Sequence, residues 1–114
     1  IRYALTYPHR AVSHDEPLNL LTCGALTFSA PDMEAFRCLK IAREVAAVGG
    51  TACAVMNAAN EEAVWAFLRG DTGFNGIHRL VERALNKVEV KYQPSLGDIL
   101  EADRAARECV KAVL

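Results

Sequence analysis

The residues most able to do chemistry stand in the stretch NAANEEAV, residues 57–64. On an α-helix, positions three and four apart are neighbours, so Asn57, Asn60 and Glu61 share one face and Val64 continues it. Glu62 points elsewhere, toward Ala59 and Ala66. Two amides and one carboxylate are too few oxygens for a hard cation. Glu61 as a general acid or base would need a pocket that brings a substrate to it. The alternative is a hydrogen-bonding face turned toward another helix or domain. Asn57, Asn60 and Glu61 are therefore read as a structural polar seam, expected to be buried.

Asp103 is the natural partner for that seam. It falls three or four residues from Ile99, Leu100 and Ala106, and a carboxylate in an apolar stripe is costly unless paired. The expectation is that Asp103 accepts hydrogen bonds from Asn57 or Asn60, or pairs with an arginine. His9, His14, Asp15 and Glu16 crowd the segment HRAVSHDE, but their spacing matches no ligand pattern. A site built from His9, His14 and Glu61 would make the chain a small metalloprotein. His78 belongs to the polar face of its helix, and the position of Trp65 does not decide between core and interface. No GxGxxG, P-loop, HExxH or GxSxG motif occurs. No catalytic, cofactor-binding or metal-ligating residue is assigned.

The elements that position these residues fall into two regimes. Residues 1–33 hold three of the four prolines and no long helical period. Within them, residues 25–28 read as one short strand closed by Pro31, and a lone strand needs a partner from elsewhere. Residues 34–114 are helical in pattern. Helices are expected over 34–48, ended by Gly49-Gly50, and over 52–69, ended by Gly70. A third runs from an N-cap at Asn75 through Ile77, Leu80, Val81, Ala84, Leu85 and Val88. A fourth starts at Ser95 with Asp98 as a capping box. Its stripe is read as Leu96, Ile99, Leu100, Ala106, Val110, Val113 and Leu114. The fold class is thus mainly α, a helical bundle of about four helices behind an irregular connector.

Bulk properties exclude other classes. The 114 residues fit one domain, and 52% hydrophobic residues are enough for a core. Thirteen basic and fourteen acidic side chains leave a net charge of −1, which points to neither nucleic acid nor an anionic membrane. No run approaches the ~18–20 apolar residues of a membrane span. Cys23, Cys38, Cys53 and Cys109 form no CxxC pair and are read as reduced, mostly buried thiols in a cytoplasmic protein. The chain begins without Met and is expected to be a piece of something longer.

Several phrases together carry a family resemblance: YALTYPHR, EPLNLL, ALTFSAPD, CLKIAREVAAVGGTA, AVMNAANEEAVWAFL and SLGDILEADRAARE. In this order the chain resembles the C-terminal part of 1-deoxy-D-xylulose 5-phosphate reductoisomerase. The resemblance implies an enzyme that converts 1-deoxy-D-xylulose 5-phosphate to 2-C-methyl-D-erythritol 4-phosphate in non-mevalonate isoprenoid biosynthesis. It implies NADPH and Mg²⁺ or Mn²⁺ as cofactors, a bacterial cytoplasmic homodimer, and upstream NADPH and catalytic domains that hold the site. Residues 1–33 would then be the end of the catalytic domain and a connector, and residues 34–114 the C-terminal bundle. The piece alone would be inactive and bind neither cofactor. Arg37 and Cys53 stand where the family often has Pro, and Gly76 where an acidic residue is common. The competing reading is an independent helical module that binds a partner through Asn57, Asn60 and Glu61.

Overall fold

A computed structural model describes all 114 residues. Five helices and no strand are present: α1 Arg2–Thr6, α2 Arg37–Val48, α3 Ala52–Arg69, α4 Gly76–Lys87 and α5 Leu96–Lys111. No helix is long and apolar enough to cross a membrane. The chain divides into two compact units, Ile1–Ala30 and Pro31–Leu114.

The first unit holds α1, which buries no residue. Its local order comes from polar contacts. Arg2 Nη2 donates to Asp15 Oδ2 at 3.0 Å, and Thr6 Oγ1 donates to the His9 carbonyl at 2.8 Å. The Arg10 guanidinium lies over the Tyr3 ring. Residues 25–28 are not a strand. The physical reason is the one that made the expectation fragile: a strand exists through a ladder partner, and none is within this chain.

The second unit is built around α3. Gly70, at φ 85°, ends this helix in the left-handed conformation, and its amide donates to Phe67 while that of Asp71 reaches Ala66. One face of α3 consists of small residues: Ala58, Ala59, Ala63 and Ala66, with Val55, are fully buried. Such a face lets neighbouring helices approach closely, and α2, α4 and α5 all pack on it. Ile41 and Val45 come from α2, Val81 and Ala84 from α4, and Ala102, Ala106 and Val110 from α5.

Helix starts differ in how they are made. α2 begins at Arg37 rather than at 34, because the Asp32 carboxylate takes the Glu34 and Ala35 amides at 2.9 Å and holds a turn ahead of the helix. α5 has the full capping box: Ser95 Oγ accepts from the Asp98 amide, and Asp98 Oδ2 accepts from the Ser95 amide at 2.9 Å. Asn75 occupies the N-cap position of α4 without a side-chain cap bond. The α5 stripe matches the expected one at Ala106 and Val110, both fully buried, but Leu96 and Leu100 are 72% and 61% exposed and Ala102 faces the core instead. The expectation of mostly buried thiols is not met, since Cys23 and Cys53 are exposed and Cys38 and Cys109 half-buried.

Two loops are clamped together beside the start of α3. Thr51, 1% exposed, donates its amide to the Lys91 carbonyl at 3.0 Å. Its hydroxyl accepts the Lys91 amide at 3.0 Å. This close approach is possible because Gly50, at φ 58°, has no side chain: a Cβ there would overlap the Lys91 carbonyl oxygen. Gly50→Ala is expected to lower unfolding stability by about 2 kcal/mol or more, from left-handed strain plus loss of the clamp. A urea denaturation midpoint equal to that of the unsubstituted chain would contradict this.

Candidate functional site

The polar residues of α3 separate into two environments. Asn57 and Glu61 are exposed, one helical turn apart, and Asn57 Nδ2 donates to Glu61 Oε1 at 3.0 Å. Asn60 is half-buried and lines a groove on the other flank of the helix. The seam expected as buried is therefore at the surface where Asn57 and Glu61 stand. The cause is the helical lattice. Ala58, Ala59, Glu62 and Ala66 hold the core-facing side, and Asn57 and Glu61 fall on the opposite side.

Asp103 is half-buried on α5 and meets neither amide. Its partner is Arg107, one turn later: Nε donates to Oδ2 at 2.9 Å and Nη2 to Oδ1 at 3.2 Å. The same Nη2 reaches across to α3 and donates to Glu61 Oε2 at 2.7 Å. Asn57, Glu61, Arg107 and Asp103 thus form one chain of charge-assisted bonds that joins α3 to α5. Arg107 is the pivot: the arginine partner expected for Asp103 as the alternative to the amides is present, though the residue itself was not named. Its position four residues after Asp103 is the signal that could have found it. The Arg107 guanidinium and the Asn57 amide hold the Glu61 carboxyl below its ordinary range. Asp103 and Glu61 in turn push the Arg107 pKa up.

Glu62 is the acidic residue that is nearly buried, at 9% exposure. Its Oε2 lies 3.5 Å from Lys111 Nζ, a second link from α3 to α5. Its sequence neighbours Ala59 and Ala66, both core residues, mark its place in the apolar stripe. No group of three or more His, Cys, Asp or Glu side chains comes together anywhere in the chain. His9, His14 and Glu61 are not gathered into one site, and Asp15 is engaged by Arg2 and Ser13. Nothing in this array offers a nucleophile beside a base or an open ligand set; its chemistry is that of an ion-paired joint.

The other built feature is a groove of about 340 Å³ where the start of α2, the middle of α3 and the start of α4 meet. Phe36, Leu39, Val64, Phe74 and Ile77 supply apolar wall, with Arg37, Asn60, Asn75 and His78 as polar members. The Phe74 ring is fixed edge-to-face against Phe67, centroids 5.8 Å apart.

The unit is mainly helical, with an ion-paired joint and an open apolar groove. The family follows from comparison. A model described as DXP reductoisomerase C-terminal domain matches residues 1–109, and the chain belongs to that family. It is 48% identical over its whole length to the 1-deoxy-D-xylulose 5-phosphate reductoisomerase of Bacillus pumilus, and covers 30% of that relative. The Symbiobacterium thermophilum reductoisomerase is 47% identical over 97% of the chain, which covers 29% of it. Among solved structures, the Zymomonas mobilis reductoisomerase in complex with NADPH superposes with a TM-score of 0.87 at 38% identity. A DOX-P reductoisomerase in complex with magnesium gives 0.85 at 36% identity. Each comparison covers 98% of this chain and 30% of the solved one. The chain thus spans about a third of the length of the relatives it matches.

The sign of the Glu61 shift sets a pH expectation. A carboxyl whose folded pKa is depressed adds stability above its unfolded pKa, and that stability is lost as pH falls through the folded value. In an NMR titration, Glu61 is expected to protonate below the ordinary glutamate range, and Arg107→Gln to return it toward that range. A Glu61 midpoint that Arg107→Gln leaves unmoved would contradict the joint.

Proposed function

We propose that this chain is the C-terminal structural domain of an NADPH-dependent reductoisomerase acting on 1-deoxy-D-xylulose 5-phosphate. The product would be 2-C-methyl-D-erythritol 4-phosphate. The observation that carries this reading is the coverage: 98% of the chain aligns with 30% of each solved reductoisomerase, at 36–38% identity. Residues 1–33 act as the end of the catalytic domain and connector, and residues 34–114 as the bundle that braces it. The whole enzyme works as a cytoplasmic homodimer.

The residues present here do not fit either cofactor. Mg²⁺ or Mn²⁺ prefers several convergent oxygens, and no acidic cluster exists in this chain. A dinucleotide pyrophosphate is cradled by a glycine-rich turn at a helix start, and no GxGxxG occurs. In this reading NADPH and the metal are held by upstream domains, and no chemical step is assigned to residues of this chain. The seam of Asn57, Glu61, Arg107 and Asp103 serves to fix α3 against α5, with Asn60 turned to the groove instead.

Two preparations test the reading. The full polypeptide that contains these residues is expected to oxidise NADPH with 1-deoxy-D-xylulose 5-phosphate and Mg²⁺, and the 114-residue chain alone to show no turnover. Turnover by the short chain, or none by the full polypeptide, would overturn it.

A further inference from the structure

The groove between α2, α3 and α4 has large apolar side chains in its wall that stay open to solvent. Phe36 is 61% exposed and Phe74 73%. Leu39 joins them at 42%. Scattered surface hydrophobes need no cause, but large side chains clustered around a concavity mark an interaction site. The concavity itself is suited to side chains: its walls are mostly aliphatic and aromatic, with Asn60, Asn75 and His78 at hand for one polar contact and Arg37 engaged by Glu82.

We propose that this groove is the seat of an apolar side chain, aromatic or branched aliphatic, contributed by the part of the same polypeptide upstream of residue 1. The inference rests on the reading that the chain is one part of a longer reductoisomerase. Two facts favour this occupant over a second copy. The relatives carry about 70% of their length outside the matched region, since this chain covers 30% of them. The groove wall at Ala35–Leu39 begins four residues after Pro31, where the bundle unit starts. Anything tethered ahead of residue 31 is thus held near the groove at a high effective concentration, which a free second copy lacks. Contacts between domains of one chain are commonly of this mixed, moderately apolar kind.

Side-chain footprinting of the full polypeptide, normalised to the denatured chain, tests the assignment. Phe36, Leu39 and Phe74 are expected to label several-fold less than their exposure in the bundle alone would give. Tyr92, 74% exposed against 73% for Phe74, serves as the matched reference on the same domain. Leu39→Asp is expected to restore labelling of Phe36 and Phe74 in the full polypeptide. Phe74→Ala, at a site with little burial to lose, is expected to do the same for Leu39. Full labelling of all three in the unsubstituted polypeptide would overturn the proposal. So would protection that disappears on dilution, which would identify a second copy as the occupant. The readout is independent of turnover: an inactive polypeptide with a protected groove refutes only the enzymatic reading, and an active one with an open groove refutes only this one.

Discussion

The alanine-lined face of α3 is the constraint on which the rest of the bundle depends. Ala58, Ala59, Ala63 and Ala66 have no accessible surface, and every other helix of the unit packs on this one. Small side chains place the helix axes close, so that Val81 of α4 and Val110 of α5 can be fully enclosed. A larger residue at any of these positions would force the neighbours apart, because cores packed at crystal-like density do not absorb added volume. The clamp between Thr51 and Lys91 follows from the same geometry, since it closes the loops at the end where α3 begins.

Commitment of one face to alanines leaves the opposite face to carry everything else. It bears Asn57 and Glu61 around its middle and Trp65 and Leu68 toward its end. The polar part is tied down within the bundle through Arg107, whereas the apolar part has no cover. Surface ion pairs add little stability by themselves. The Arg107 joint is better understood as fixing the rotation of α5 against α3. That rotation decides which side of each helix faces outward, and so what surface the domain presents to its neighbours.

Much of this was legible in the residues. The bracket of Gly49-Gly50 and Gly70 defined α3, and Ser95 with Asp98 defined the start of α5, because these signals act through backbone conformation within a few residues. The strand expected at 25–28 is absent, since strands depend on partners that local sequence does not contain. The α5 stripe was right at Ala106 and Val110 but not at its start, where hydrophobicity favoured Leu96 and Leu100 and the close approach to α3 selects the smaller Ala102. Asn57, Asn60, Glu61 and Asp103 were singled out by type and spacing. An arginine was one expected partner for Asp103, and the four-residue spacing within α5 supplies Arg107; that Asn60 parts from the others, and that Arg107 also reaches Glu61, depends on how the helices pack. Glu62 showed its burial only through the alanines around it.

Native-state hydrogen exchange tests most directly whether α3 is the element on which the bundle depends. The amides from Val55 to Ala66 are expected to exchange only through global unfolding, with opening free energies equal to the stability from denaturation and at least as large as any in α2, α4 or α5. Exchange of α3 by a lower-energy opening, while α4 and α5 remain protected together, would contradict the account.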